Sequence, residues 1–488
     1  MLMDRILRET RDFTERMPKQ ERKAYGQFFT GADAASFMAG LFDIDPSRPV
    51  LRILDAGAGS GILRSALTER IRHSGYAGRI ELACYESDPA VLPLLRRAMD
   101  ALADECGASC SIRAENYLTS QDFGNGDGDG VFDLVIGNPP YRKLNKASAE
   151  ARHMASVCDG APNLYFLFMA MGVRNLQAGG QLAYIIPRSW TSGAYFARFR
   201  EYLLSRCAIE RIHLFKSRGE VFKGDPVLQE TMIIKARKTS ERPRRIEISC
   251  SGTPDFANTS SCKLGYGTIV GADGCVYLAQ SHEDEAVLEK LRSLGSTLGS
   301  NGLRMKTGLV VRFRERGALR SNGHEGAIPL LGPQHIRNSR VTWPLGKDDE
   351  FIIPSRGALA QENADYVLVK RFTSKEERRR LQCALWLAGC HPGCSLISTD
   401  NKLNFIRCGS EDEAFGIPAL LSSSIYDRYY RILNGSTQVN ATEVNAMPFP
   451  PEDVIARIGK EIRSRGLSER NCDVAVNKWI DPTRQALN

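Results

Sequence analysis

Val50-Leu51-Arg52-Ile53-Leu54-Asp55-Ala56-Gly57-Ala58-Gly59-Ser60-Gly61 decides how the rest of the chain is read. Val50–Leu54 is a short apolar run of the kind that forms a buried strand, and Ile62–Arg72 has the spacing of a helix. Strand, glycine-rich turn, helix is the opening of a doubly wound α/β fold whose first turn cradles a nucleotide. The glycines let the backbone bend tightly and let a ligand come close. A GxGxG turn also fits dinucleotide enzymes, but two features argue against a pyrophosphate. Asp55 is expected to put a carboxylate at the mouth of the turn, where it would repel phosphate, and the spacing is not the dinucleotide GxGxxG. An acidic entrance suits a cationic, amine-bearing ligand such as S-adenosylmethionine.

Upstream, residues 1–24 have the pattern of a charged helix with Ile6, Leu7, Thr10, Phe13 and Met17 on one side. The aromatic segment Tyr25-Gly26-Gln27-Phe28-Phe29-Thr30-Gly31 follows and can lid the pocket, with Thr30 placed to cap a helix over Ala32–Leu41. Downstream, Arg79–Tyr85 is a second strand ending in Glu86, an acid suited to the two hydroxyls of a ribose. A third strand, Cys110–Ala114, ends at Glu115-Asn116-Tyr117, where Asn116 or Glu115 can reach an adenine amino group. Asn125–Gly130 has no twelfth-position Glu to complete a calcium loop and reads as a surface hairpin.

A fourth strand, Phe132–Gly137, stops in Asn138-Pro139-Pro140-Tyr141. Two prolines remove two backbone donors and fix φ, so the chain leaves the sheet as a stiff loop. Such a loop can aim the Asn138 amide oxygen and the Pro139 carbonyl at one point, with the Tyr141 ring beside them as a stacking surface. Two acceptors and a ring suit the exocyclic amine of a planar base or an amide.

The ordered set Tyr25–Gly31, Asp55–Gly61, Glu86, Asn116-Tyr117 and Asn138–Tyr141 resembles the gamma-class N6-adenine DNA methyltransferases of type II restriction–modification systems. Asn116 departs from the pattern, since relatives more often carry Asp there. The resemblance implies a Rossmann-like, seven-stranded S-adenosylmethionine-dependent methyltransferase domain, followed by a mixed α+β DNA target-recognition domain. The expected boundaries are 1–238 for the catalytic domain, 239–451 for target recognition and 452–488 for a helical tail, with 236–250 as the linker. Thr30, Asp55, Gly57, Gly59, Gly61, Glu86 and Asn116 are then the cofactor-binding residues. Asn138, Pro139, Pro140 and Tyr141 are the catalytic loop. Gly219-Glu220-Val221-Phe222 is similar to the family segment whose Phe stacks on the far face of an extruded adenine, which pairs Phe222 with Tyr141. The same Asn-Pro-Pro-Tyr chemistry occurs in RNA and protein N-methyltransferases, the alternative reading; the long C-terminal half argues against it.

In that half, Gly308–Arg316 reads as a strand with Arg312, Arg314 and Arg316 on one face, suited to phosphates or guanine edges. Gln438 and Asn440 lie in a polar run that can touch DNA, and Thr442 is placed to cap a short helix. The net charge of +8 permits a nucleic-acid partner without requiring one. The 13 cysteines are odd in number and without framework spacing, as in a reduced, cytoplasmic protein. Cys390-His391-Pro392-Gly393-Cys394 offers three ligand atoms at a poor spacing, so no metal centre is expected. No run approaches the roughly 20 apolar residues of a membrane span. Neither Glu21-Arg22-Lys23 nor Asp400-Asn401-Lys402 has a Pro-Asp nearby upstream to complete a nuclease core. The expected partners are double-stranded DNA and a cognate endonuclease on a separate chain.

Overall fold

The computed structural model describes residues 2–16, 29–124, 130–215, 230–253, 255–324, 326–434 and 436–480. The chain divides into two compact units, Met1–His282 and Glu283–Asn488.

The first unit is built on one sheet. Its elements run α1 (Leu2–Arg16), α2 (Ala32–Gly40), β1 (Val50–Ala56), α3 (Ile62–His73), β2 (Arg79–Tyr85), α4 (Leu92–Cys106), β3 (Ser109–Arg113) and β4 (Phe132–Gly137). Then come α5 (Ala149–His153), α6 (Leu164–Asn175), β5 (Leu176–Pro187), α7 (Ala197–Arg206), β6 (Cys207–Phe215), β7 (Thr231–Lys238), β8 (Arg245–Ser251) and β9 (Thr259–Gly265). The strand order is β3-β2-β1-β4-β5-β7-β6-β8-β9. Strands β1 to β5 pair in parallel, and β7 runs antiparallel between β5 and β6. Strand order reverses at β1, so the turns after β1 and β4 open side by side at the carboxyl edge, where doubly wound sheets bind their ligands. The central strands are buried on both faces, Ile53, Leu54, Val135 and Ile136 being wholly inaccessible, as parallel strands covered by helices must be.

The sheet therefore has nine strands, not the expected seven. The stretch read as a linker, 236–250, is mostly strand: β7 ends at Lys238 and β8 begins at Arg245. Pro243 and the neighbouring arginines mask a period-two pattern, in which Ile246, Ile248 and Cys250 point inward while the residues between them are more open. With β8 and β9 added, the first unit closes at His282 and not at 238.

The second unit contains a six-stranded sheet ordered Met305–Thr307, Leu403–Arg407, Tyr366–Lys370, Cys383–Trp386, Arg340–Val341 and Ile336–Arg337, together with a five-stranded one. The segment expected to be a separate tail packs here as two helices, Glu452–Arg465 and Glu469–Trp479. Gly459 brings the first of these against helix Glu411–Ser422 so closely that a Cβ would lie 1.7 Å from the Asp412 carbonyl oxygen. Among the described residues no helix is long and apolar enough to cross a membrane, and no group of three or more His, Cys, Asp or Glu side chains converges as metal ligands would. His391 instead lies flat on Trp386, ring centroids 3.8 Å apart.

Candidate active site

The glycine turn after β1 is folded over the end of β2. The N–H groups of Gly57 and Ala58 both donate to the Tyr85 carbonyl oxygen at 3.0 Å, and that of Gly61 donates to Ala58 O at 2.8 Å. Gly57, Gly59 and Gly61 have φ of +68°, +54° and +85°, a region that side chains other than glycine's seldom enter. At Gly57 a Cβ would also come within 3.2 Å of the Phe168 ring, so the turn owes its close approach to α6 to the missing side chain.

Glu86 sits in front of this turn, 9% exposed. Its Oε2 accepts the Gly59 N–H at 3.0 Å and its Oε1 accepts the Asp88 N–H at 2.9 Å. Burial raises its pKa above the usual carboxylate range, against the pull of those backbone donors. Asp55 lies elsewhere than expected. It is 1% exposed, beneath the turn, with Oδ2 3.4 Å from Nη1 of the equally buried Arg64 and with Oδ1 lacking a hydrogen-bond partner. Burial pushes its carboxyl up to about 6 although Arg64 pulls the other way. The acid facing the cavity is Glu86, and Asp55 supports the turn from behind.

At the end of β4, Asn138 is held at both ends of its amide. Nδ2 donates to Thr30 Oγ1 at 3.0 Å, and Oδ1 accepts from the Tyr141 hydroxyl at 3.1 Å. The same hydroxyl is 3.0 Å from the Ile185 carbonyl oxygen, so one proton is shared between two acceptors. Thr30 thus does not cap α2, whose N-cap is Gly31; it orients Asn138. Tyr141 is half-buried against the core, its ring edge-on to Tyr165 at 6.3 Å.

One cavity of about 310 Å³ joins these parts. Gly57, Gly59, Glu86, Asn116, Asn138 and Pro140 of the expected site residues line it. Thr30, Asp55, Gly61, Pro139 and Tyr141 do not, standing one layer behind the wall. Phe222 and Tyr25–Phe28 lie outside the described residues, while Phe29 borders the cavity. Asn116 uses its Oδ1 to accept the Leu118 N–H at 3.0 Å and donates from Nδ2 to Glu150 at 3.0 Å. Tyr85, Phe168 and Glu150 also line it without having been foreseen. The run 163–168 gave a signal for Phe168, because an aromatic in the first turns of the helix following this loop is placed to face the glycine bend.

The arginine strand expected over Gly308–Arg316 does not form. Val310 makes a single bridge to Asp400, and the chain then turns, Arg314 N–H donating to Val311 O at 2.8 Å. Arg312 points inward, its Nε donating to buried Asp400 at 2.6 Å and its Nη1 to Asp349 O at 2.7 Å. Burying one arginine to neutralise Asp400 breaks the period of two, leaving Arg314 and Arg316 exposed beside Phe313. Gln438 Nε2 donates to Asn440 Oδ1 at 2.6 Å, and Asn440, rather than Thr442, is the N-cap of helix Ala441–Ala446.

A doubly wound sheet whose first glycine turn and fourth-strand Asn-Pro-Pro-Tyr loop wall a single cavity defines a group-transfer enzyme of the methyltransferase class. The profile of the Eco57I restriction-modification methylases matches residues 96–222, which include that loop. The chain is 32% identical over 458 residues to the type II methyltransferase M.BsuBI of Bacillus subtilis, spanning 90% of each protein. It is 28% identical over 488 residues to the type II methyltransferase M.PstI of Providencia stuartii, spanning 94% of this chain and 93% of the relative. Its fold is also that of the type IIL restriction-modification enzyme MmeI, solved in complex with DNA, with a TM-score of 0.57 at 14% identity over 98% of this chain and 73% of the other. The chain belongs to the type II restriction–modification methyltransferases.

Proposed function

We propose that the chain is a site-specific DNA methyltransferase that modifies the N6 amine of an adenine swung out of duplex DNA, using S-adenosylmethionine. In this reading it protects host DNA in the cytoplasm from an endonuclease carried on another chain. The observation that carries it is the shared cavity, with Gly57, Gly59 and Glu86 on one side and Asn138 and Pro140 on another.

The residues present fit a sulfonium nucleoside. Glu86 offers the cavity a carboxylate already steadied by two backbone donors and suited to paired ribose hydroxyls, and Asp55, paired with Arg64, places a second acid beneath the turn. Gly57, Gly59, Glu86 and Asn116 would hold it, with Phe168 and Tyr85 as apolar walls. Bound there, S-adenosylmethionine supplies an electrophilic methyl group.

The adenine amine is a weak nucleophile because its lone pair is delocalised into the ring. Asn138 Oδ1 and the Pro139 carbonyl accept its hydrogens, which favours a more pyramidal nitrogen. Oδ1 already accepts the Tyr141 hydroxyl, which fixes its direction, and an amide oxygen has lone pairs for two donors. Thr30, by holding Nδ2, keeps that oxygen turned to the cavity. An amine inside a duplex is out of reach, so the base must leave the stack; Phe222, by resemblance, and Tyr141 offset the lost stacking at roughly 1–3 kcal/mol per aromatic contact. The second unit holds the DNA, with Arg314, Arg316, Gln438 and Asn440 among its contacts.

The test is to incubate the chain with methyl-labelled S-adenosylmethionine and plasmid DNA, then digest to nucleosides. Label in N6-methyldeoxyadenosine at one sequence is the expected result. Label in cytosine, or only in added RNA or protein, would refute it.

A further inference from the structure

In the second unit, Ile336–Arg337 and Arg340–Val341 form a two-stranded hairpin, with Ile336 opposite Val341 and Arg337 opposite Arg340. Its two central residues, Asn338 and Ser339, have φ of +49° and +60°. Left-handed conformation at both centres is the type I′ turn, for which Asn-Gly is the unstrained choice. Asparagine tolerates that region, serine does so poorly, and strain of this kind collects at functional sites.

The arginines are the second anomaly. Like charges directly opposite one another weaken a strand pair. Arg337, Asn338 and Arg340 are all exposed, and no hydrogen bond or ion pair joins either guanidinium to another described residue. Some arginines of this unit are tied down: Arg407 to Glu362, Arg428 to Asp284, Arg431 to Asp427 and Arg463 to Glu411. Others, such as Arg314 and Arg316, are exposed like the hairpin pair. What sets Arg337 and Arg340 apart is that they stand directly opposite each other in a strand pair. An anion bound between Arg337 and Arg340 would turn their repulsion into attraction.

The root of the hairpin is rigid. Ile336 is 5% exposed within the cluster of Leu331, Tyr366 and Trp386. The Thr342 N–H donates to His335 O at 2.9 Å. The buried His335 ring accepts the Gly332 N–H at Nδ1 (2.9 Å) and meets Glu350 at Nε2 (2.8 Å), and Glu350 also receives the N–H groups of Leu345 and Gly346. Beside the tip, Lys370 and Arg378 share a recess of about 470 Å³ with Arg337 and Asn338; its acids, Glu377 and Glu469, are engaged by Gln382 and Arg378.

We propose that hairpin 336–341 is a base-reading element of this enzyme that enters the major groove of duplex DNA, with Arg337, Asn338 and Arg340 facing base edges and Lys370 and Arg378 meeting the flanking phosphates. A two-stranded ribbon fits a groove about 12 Å wide, arginine forks match guanine, and the asparagine amide matches adenine. The inference rests on the proposed action on duplex DNA.

The experiment selects binders from a random duplex pool with the full chain and sequences them, with no methyl donor present. Wild type should enrich one sequence. Arg337→Ala, Arg340→Ala and Asn338→Gly, the last keeping the left-handed turn, should each relax it at one or two positions, lowering the preference over the wrong base roughly five- to 150-fold. Thermal midpoints should hold or rise in the arginine variants, because the cross-strand repulsion is gone. Arg337→Lys keeps charge and solubility but lacks the fork, so it too should lose base preference while binding duplex at low salt. Arginines that only guard a sheet edge from aggregation would leave the enriched sequence intact in the lysine variant, and that result overturns the proposal. So does a wild type that enriches no sequence from the duplex pool. A chain that enriches a duplex yet never methylates it refutes the transfer reading and leaves the hairpin standing; one that methylates a motif indifferent to all four variants refutes the hairpin alone.

Discussion

Loop 138–141 in the first unit and hairpin 336–341 in the second are both short polar turns on buried roots, and their side chains are treated in opposite ways. Asn138 is held at both ends of its amide before any substrate arrives, by Thr30 on one side and Tyr141 on the other. Arg337 and Arg340 face each other with no partner among the described residues. A catalytic group gains from being fixed in advance, because reorganisation at the moment of reaction raises the barrier. A group that reads a polyanion can wait for its partner, since the partner supplies the neutralising charge.

The comparison breaks most visibly at Asn138. Asn138→Ala removes one of the two proposed acceptors and should lower the methylation rate by a factor on the order of 10²–10³ or more, while the dissociation constant for S-adenosylmethionine changes by less than about threefold. Single-turnover transfer and calorimetric titration separate the two. Equal losses in rate and affinity would mean that the loop holds the cofactor and does no chemistry.

Glu86 comes next. Glu86→Gln keeps the shape but removes the charge behind two hydrogen bonds to a ribose, and should weaken S-adenosylmethionine binding by roughly ten- to a hundredfold. The pH dependence follows from the same acids. Asp55, raised from 3.8 to about 6, and Glu86, also raised, are neutral in acid and charged above it. Affinity for a cationic ligand should therefore climb as pH rises through about 6 and level off beyond. The stability of the ligand-free chain runs the other way. A folded-state pKa above the unfolded one contributes stability at low pH that is lost as pH rises from about 4 through 6. Asp55→Asn should flatten both trends. A pH-independent affinity in the unaltered chain would remove both acids from cofactor binding.

Thr30→Val is a smaller cut at the same place. It preserves volume but withdraws the acceptor for Asn138 Nδ2, and should slow transfer about five- to tenfold with cofactor affinity unchanged. An unaltered rate would show that Tyr141 and the prolines position the amide without Thr30.

The contrast also explains what could be read from the sequence. Strands β2 and β4 fall on the residues their patterns mark, β4 because residues 134–137 are an apolar run buried throughout, β2 because Ile80, Leu82 and Cys84 recur at period two with more open residues between them. The glycine turn and Asn138-Pro139-Pro140-Tyr141 were legible because their chemistry tolerates few other residues at that spacing. Thr30 was read as a cap and Tyr141 as a ring, without their hydrogen bonds to Asn138 and Ile185; a hydroxyl announces a hydrogen bond without naming its partner, and the partners here are distant in sequence or set by the fold. β8 was hidden by the arginines and Pro243 around it. Arg312 was assigned to DNA because nothing local shows that Asp400, far along the chain, claims it. Hairpin 336–341 passed unnoticed for the reason that makes it a reader: Arg-Asn-Ser-Arg is an ordinary polar string until the left-handed turn and the cross-strand register set its arginines against each other.

The smallest effect tests whether the strain at that turn and its reading of bases are separable. Ser339→Gly relieves a left-handed serine, a conformation that costs a residue other than glycine about 1–2 kcal/mol, and gives back part of the gain through the freer unfolded chain. The net should be a stabilisation of about 0.5 kcal/mol, seen as a rise of roughly 1–2 °C in the midpoint of thermal unfolding. Arg337, Asn338 and Arg340 keep their places, so the sequence enriched from a random duplex pool should not change. If the variant melts higher but selects a different sequence, the serine hydroxyl is itself a reader, and the strain is tolerated because glycine could not supply that contact. If it melts lower, φ at this position is not what limits the hairpin, and the opposed arginines alone mark it as a reader.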